Sequence, residues 1–235
     1  MSPPTAAAMR ERAFADALAH DLYAPLRAIE NFAALLERRA GDGMDETSRD
    51  YLSRIRVASA RMGALMASLS ELSAAQRAEP DITAVDLSLL VEWVAAELAD
   101  RDPKRRVVVT VQPGLQVTGD ERLLRQLVQH LMHNAWAFTA SVSNARIEVS
   151  ANTDGTRQQL LVRDNGIGFD MRYAHKLFEP FQRLHVAEQG AGHGLGLAIA
   201  QAIAERHGGQ LRGESVPGTG TVFTFEWPVA PATVT

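Results

Sequence analysis

At 235 residues, with 46% hydrophobic and 22% charged side chains, the chain is long enough for one large domain or two small ones, each with a real core. A net charge of -4 leaves no basic footprint for nucleic acid or an anionic membrane, and the absence of cysteine excludes disulfides and thiolate metal sites. The opening MSPPTAAAMRER has no secretory apolar core, and no run reaches the ~18 apolar residues of a membrane span.

Residues from about Ala6 to Ala40 read as one helix, with Leu22, Pro25, Ile29, Phe32 and Leu36 spaced by three and four. His20 and Asp21 stand just ahead of that stripe, and Pro25 falls inside a run that otherwise reads as unbroken helix. GDGMDET (41–47) is a turn. A second helix follows from Ser48, where Ile55, Ala58, Met62, Leu65, Leu69 and Leu72 form a heptad seam. Two long helices joined by a short loop make an antiparallel hairpin. A lone hairpin cannot bury such stripes well, whereas two copies packed as a four-helix bundle can. A homodimer through residues 1–78 is therefore expected, in preference to a monomer whose hairpin folds back on the rest.

EPDITAVDL (79–87) reads as a linker, and residues 88–229 as a second domain with a different pattern. DLSLLVEWVAAELADR is a helix, RRVVVTVQP a strand, and GDERLLRQLVQHLMHNAWAFTA a helix. ARIEVSA and RQQLLVRDNG are strands paired through an NTDGT turn, HGLGLAIAQAIAERHGG is a helix, and GTGTVFTFEWP is a last strand. The expected fold is α+β: the helical hairpin, then an α/β sandwich with helices on one face of a mixed sheet. Residues 230–235 are read as a frayed tail.

Four stretches of this second region carry chemistry. In RDNGIGFD (163–170), Asp164 ends a strand, and Gly166 and Gly168 permit close approach of a flat ligand. An aspartate there can accept from an exocyclic amine such as that of adenine, although Asn-Gly is also a common hairpin turn. GAGHGLGLAIA (190–200) opens a helix on glycines, where free amides and the helix dipole favour phosphate. It has neither the Walker G-K-[ST] ending nor the G-x-G-x-x-G spacing. GTGTVFTF (218–225) adds a third glycine pair. In HLMHNAWAFT (130–139), Asn134 offers a hard oxygen suited to Mg²⁺ shared with phosphates, and His130, four residues earlier, lies on the same helix face. Together they describe a nucleotide pocket without a Walker lysine.

HDLYAPL, HNAWAFT, DNGIGF, LFEPF, GHGLGL and GTGT occur in the order found in sensor histidine kinases, and the chain resembles the phosphoacceptor hairpin plus catalytic ATP-binding domain of that family over nearly its whole length. AHDLYAPLRAI looks most like the variant of phytochrome-type sensor kinases. The resemblance implies that His20 is the phosphoacceptor, attacking the ATP γ-phosphate through Nε2, and that Asp21 accepts a proton or orients the imidazole. Pro25 would kink the helix and provide a bistable element for signalling. Asp164 would bind the adenine amine with Gly166 and Gly168 against the ring, and Asn134 would ligate Mg²⁺. Gly192, Gly194 and Gly196 would cap the phosphates, with Thr219 also at the nucleotide. Residues from about 170 to 192 would form a lid anchored by Phe178 and Phe181. Lys176, Arg183 and His185 would reach phosphate or the hairpin, or else form a solvated lid face.

Some positions depart from the family pattern. His130 stands where Asn is usual, and Ala137 where a basic residue is usual; losing one charge contact to the γ-phosphate would cost ~2–4 kcal/mol by analogy with other preorganised donors. His130 or Arg183 is a candidate to compensate. His193 replaces the commoner Thr or Ser, and Ala24 replaces a residue that orients water for dephosphorylation, so phosphatase activity is expected to be weak. The implied function is ATP- and Mg²⁺-dependent autophosphorylation of His20 and transfer to an aspartate of a response-regulator receiver domain, in two-component signalling. The alternative is a degenerate kinase serving as an ATP-binding or dimeric scaffold. A hydrolase of the gyrase or chaperone kind is disfavoured, because His130 replaces its glutamate base. The expected partners are a second copy and a receiver, with no nucleic acid and no direct membrane contact. The expected location is cytoplasmic, as a soluble protein or as the soluble part of a longer sensor.

Overall fold

The computed structural model describes residues 6–40, 43–183 and 192–229, apart from the side chains of residues 6–21. His185 and the 230–235 tail therefore lie outside the described residues, as do the side chains of His20 and Asp21. The chain divides into two compact units, Met1–Ala74 and Ala75–Thr235.

The first unit is a helical hairpin of α1 (Ala6–Ala40) and α2 (Glu46–Arg77). Helix α1 runs through Pro25, whose missing N–H removes one bond of the helical ladder. Asp45 opens α2, its carboxylate accepting the Ser48 amide at 2.7 Å. The two helices meet along a line one heptad apart: Leu26 and Ala33 on α1, Leu52, Ser59 and Met66 on α2, all buried. Gly63 of α2 faces Leu26 of α1, where a Cβ would make an ordinary contact at 3.5 Å. Arg56 donates to both Glu37 oxygens, at 2.8 and 2.6 Å, across the helices. Much of the stripes read from the sequence points elsewhere: Phe32 is 71% exposed, Leu36 54%, Ile55 46% and Met62 41%, while Leu65 and Leu69 are half-buried and Leu72 is buried.

The second unit is built on a five-stranded mixed sheet. Its elements are β1 (Thr83–Asp86), α3 (Leu87–Arg101), β2 (Val108–Val111), β3 (Gln116–Gly119), α4 (Glu121–Phe138), β4 (Arg146–Thr153), β5 (Arg157–Asp164), a 3-10 helix (Met171–Lys176), α5 (Gly196–Arg206), β6 (Gln210–Val216) and β7 (Gly220–Pro228). The sheet order is β2-β4-β5-β7-β6, with β2 and β4 parallel and the other pairs antiparallel. One face is apolar and buried, through Ile147, Val149, Leu160, Val162, Phe223, Phe225 and Trp227, and packs against the helices. The other face carries exposed Glu148, Arg163 and Arg212. This is the expected sandwich with helices on one face.

Three short strands escaped the sequence reading. β1 lies within the segment read as a linker and pairs with β3 as a separate two-stranded sheet. β6 follows the Gly208–Gly209 stop of α5 and pairs with β7. Two of the three, β1 and β3, have four residues each, too few for alternation to register. Among the described residues no helix is long and apolar enough to cross a membrane.

Candidate functional site

Asp164 is the last residue of β5 and is only 4% exposed. Its Oδ1 accepts the Gly166 amide at 2.8 Å, folding the chain back immediately after the strand. Burial pushes the Asp164 carboxyl up to about 6, against the opposing pull of the Gly166 and Thr221 amides. A buried carboxylate with so few donors has capacity for another, and an amine of a flat ligand is the donor type that suits it.

The loop after Asp164 is held from two sides. The Ile167 amide donates to the Phe138 carbonyl at the end of α4 at 3.1 Å, and the Gly218 amide of the β6–β7 turn donates to the Ile167 carbonyl at 2.7 Å. Phe169 donates its amide to Ser215 Oγ at 2.9 Å. Gly166 is required here because a Cβ would lie 2.5 Å from the Phe138 oxygen and 2.8 Å from Asp164 Oδ1. Gly168 has φ +62°, and its Cβ would run into the Val216 carbonyl and stand 2.9 Å from Ser215 Oγ. Both glycines are thus demanded by the protein's own packing, independently of a ligand. Thr219 is exposed in the β6–β7 turn, its amide on the Val216 carbonyl at 3.0 Å.

Helix α4 begins at Asp120, whose carboxylate accepts the Leu123 amide at 2.9 Å, and packs against α5. His130 and Asn134, one turn apart, are half-buried on α4. A Cβ on Gly196 would lie 3.1 Å from His130 Nδ1, so the first turn of α5 meets α4 at His130. Ala137 is half-buried one turn beyond Asn134. The N-terminus of α5 has no side-chain cap, since Leu195 precedes it, so its first amides remain available to an anion.

Gly194 has φ +74°, and its would-be Cβ stands 2.8 Å from the Gln182 carbonyl. The Phe181 amide donates to the Gly194 carbonyl at 2.8 Å, and Phe181 itself has φ +65°, a left-handed backbone unusual for a large side chain. Gly192 has open space where a side chain would begin. Phe178 is half-buried; Lys176 and Arg183 are exposed. The structure thus brings His130 and Gly196 to one helix crossing, with Asn134 one turn further along α4, and Asp164, Gly166 and Gly168 to one loop hung from the end of the same α4. Asn134 carries a carboxamide oxygen, the hard donor type that suits Mg²⁺, and no cluster of three or more His or acidic residues that could hold a metal exists among the described residues.

Sequence reasoning missed the scaffold around this site. Ser215 is a half-buried partner of the loop, and His207 a buried partner of the α4 cap. Asp120 before an apolar-periodic run is a legible N-cap signal; Ser215 carries no such signal, because its value depends on which strand becomes its neighbour.

Comparison with known proteins agrees with this architecture. The phosphoacceptor pattern of the His Kinase A domain matches residues 10–78, and that of the histidine kinase-, DNA gyrase B- and HSP90-like ATPases matches residues 119–231. The sensor-like histidine kinase SenX3 of Mycolicibacterium smegmatis is 34% identical over 94% of this chain and 58% of its own length. The phytochrome-like protein Cph1 of Synechocystis sp. is 31% identical over 92% of this chain and 29% of its own. The chain therefore spans only part of the curated relatives it matches. Full-length ShkA, solved in complex with AMPPNP, superposes with a TM-score of 0.72 at 25% identity, covering 94% of this chain and 46% of that one. Carrying a histidine phosphoacceptor hairpin followed by a domain of the histidine-kinase ATPase type, the chain belongs to the sensor histidine kinases of two-component systems.

Proposed function

We propose that this chain uses ATP to phosphorylate His20 and passes the phosphoryl group to an aspartate of a response-regulator receiver domain. The observation that carries the reading is the buried Asp164 carboxylate, raised to about 6, at the mouth of a loop anchored to the helix that also bears Asn134 and faces the uncapped start of α5. That arrangement supports reading Asp164 as an adenine acceptor, Asn134 as a hard-oxygen ligand and the start of α5 as a phosphate site on one framework. The phosphoacceptor pattern over residues 10–78 and the resolved structure of a relative with AMPPNP support the same reading.

In this reading Asp164 accepts the adenine amine while Gly166 and Gly168 keep the loop flat enough for the ring. The first α5 amides, from Gly196 on, and those of Gly192 and Gly194 ahead of the helix hold the phosphates with Arg183 and Thr219 at the rim, and Phe178 steadies the segment leading to them. Asn134 would hold Mg²⁺, which offsets phosphate charge when bound. The lone pair on His20 Nε2 forms the new N–P bond as the bond from the γ-phosphorus to the ADP oxygen breaks, and Asp21 takes the Nδ1 proton. Pro25 weakens α1 just beyond the acceptor, so that the helix bends there. The exposed Phe32, Leu36, Ile55 and Met62 support a homodimer through the hairpin.

The test is incubation with Mg²⁺ and γ-labelled ATP beside His20→Ala. Acid-labile, base-stable label on the parent alone supports the kinase and its acceptor. A second reading, an ATP-binding scaffold, is favoured by His130 and Ala137, which replace the family's usual polar and basic residues. ATP binding without label, with label gained on the double substitution His130→Asn and Ala137→Lys, establishes that reading instead.

A further inference from the structure

The last four carbonyls of α4 have no partner within the helix, and each finds one outside the ladder. Ala135 accepts from the Thr139 amide at 3.1 Å and from Thr139 Oγ1 at 2.8 Å, and Ala137 from the Ala140 amide at 3.1 Å. Phe138 accepts the Ile167 amide at 3.1 Å, which hangs the Asp164–Gly168 loop on the helix. Trp136 accepts from the Arg105 guanidinium.

Arg105 lies between α3 and β2, far in sequence from any nucleotide motif, and its amide closes a turn on the Asp102 carbonyl at 3.1 Å. A second guanidinium nitrogen donates to Thr139 Oγ1 at 2.7 Å, and the guanidinium stands 5.1 Å from the Trp136 ring centre. Thr139 is wholly buried. The last turn of α4 holds no basic residue of its own, so Arg105 supplies the positive charge that its carbonyl end favours. The fork grips two points, Trp136 and Thr139, that bracket the carbonyl carrying Ile167.

We propose that Arg105 is a positioning residue of the nucleotide site: by fixing the last turn of α4, it sets where Ile167 and Gly166 hang and so where the Asp164 carboxylate sits. This rests on the reading of Asp164 as the adenine acceptor. The guanidinium of Arg105 reaches the Trp136 carbonyl and Thr139 Oγ1 rather than Asp164. Its effect is therefore expected on adenine recognition, through the chain Arg105, Trp136 and Thr139, Phe138, Ile167, Asp164. A lysine retains the charge but cannot grip both points at once.

The experiment titrates ATP and GTP, each with Mg²⁺, into the full chain and into Arg105→Met, Arg105→Lys and Val117→Ala, well below their melting temperatures. Val117→Ala, a buried change in the separate β1–β3 sheet, is the stability control. Arg105→Met is expected to weaken ATP about tenfold and to shrink the ATP-over-GTP preference, with Arg105→Lys intermediate and Val117→Ala unchanged in preference. Should Arg105→Met fail to fold, Arg105→Lys carries the same comparison. Unchanged ATP affinity and preference in the Arg105 variants would overturn the positioning role while leaving the nucleotide site standing. Equal weakening of ATP and GTP, tracking lost stability as in Val117→Ala, would overturn it as well. An unsubstituted chain that binds ATP no better than GTP would overturn the adenine reading and this inference together.

Discussion

The backbone N–H of Asp120 donates to Nε2 of His207 at 3.1 Å, tying the start of α4 to the end of α5. Because Nε2 accepts, Nδ1 carries the proton, and it donates to the Ile203 carbonyl at 2.9 Å. Asp120 also accepts the Leu123 amide and, at 3.0 Å, the Asp81 amide of the segment that follows the hairpin. Arg206 donates to the Ala78 carbonyl in the same segment. Both helices that bear the candidate nucleotide groups are thus pinned at one polar junction. Burial pushes the Asp120 carboxyl up, but the Leu123 and Asp81 amides, with Arg122 and His207, hold it below its ordinary range.

His207 is expected to make the second unit acid-sensitive. Burial holds its imidazole below 6.5 more strongly than the Ile203 carbonyl and Asp120 raise it. Between the folded and unfolded values only the unfolded chain carries the proton, so this contribution to stability is complete above 6.5 and fades as pH falls below it. Denaturant unfolding of His207→Gln at pH 7.5 and pH 5.5 should show a smaller acid loss than the unsubstituted chain. His207→Ala should cost about 2 kcal/mol at pH 7.5, from two buried polar partners left unpaired. An identical pH dependence in His207→Gln would exclude the imidazole as the source.

Asp164 acts in the opposite sense. Its carboxyl titrates near 6 when folded and near its ordinary 3.8 when unfolded, so the folded chain holds the extra proton between them and stability declines as pH rises through 6. The gap corresponds to about 3 kcal/mol of cost above pH 7. Asp164→Asn should therefore stabilise the nucleotide-free protein at pH 7.5 while weakening ATP about tenfold to a hundredfold, the worth of a charge-assisted hydrogen bond. ATP affinity of the unsubstituted chain should fall as pH drops below about 6, where the acceptor becomes protonated. Calorimetry at pH 5.5 and 7.5 checks both statements, and a pH-independent affinity would remove Asp164 from the base-binding role.

Much of this was legible from the sequence, for reasons that differ by element. The bounds of α1, the helical character of α4 and the hairpin turn between β4 and β5 follow from periodicity and from Asp-Gly chemistry, which are local. The hairpin's own seam was not legible. The strongest apolar stripe, Ile55 to Leu72, was the visible one, whereas the line that closes the hairpin alternates Leu52, Ser59 and Met66 and contains a serine. The glycines at 166 and 168 were legible as necessary, but the reason assigned to them was a ligand. The closest approach is instead to the Phe138 and Val216 carbonyls, atoms that no local pattern brings near. Arg105 was invisible for the same cause: its partners are 31 and 34 residues away.

Three glycines should separate these two reasons. Gly166→Ala meets the Phe138 carbonyl at 2.5 Å, and Gly168→Ala adds a Cβ at φ +62°, so each should lose about 1–3 kcal/mol of stability with no nucleotide present. Gly192→Ala meets nothing within 4 Å and should leave the melting temperature unchanged. Any loss of ATP affinity in Gly192→Ala is then assignable to the ligand alone. Thermal melts in the absence of nucleotide decide the first point, and a stable Gly166→Ala would contradict the packing account.

The hairpin separates folding from association in the same way. Leu26 is 2% exposed against Gly63, and Leu26→Ala should cost about 2–5 kcal/mol of hairpin stability, lowering helix content on mild heating. Ile55 and Met62 are 46% and 41% exposed within one chain, so Ile55→Glu and Met62→Glu remove far less from that packing than Leu26→Ala does. If those faces meet a second copy, each glutamate places an unpaired charge in an apolar bundle core, costing several kcal/mol per copy. Sedimentation of the unsubstituted chain should then show a dimer, and of Met62→Glu a monomer with its helix content retained. A monomeric unsubstituted chain, or a Met62→Glu dimer of undiminished strength, would mean that the exposed stripe is not the association face.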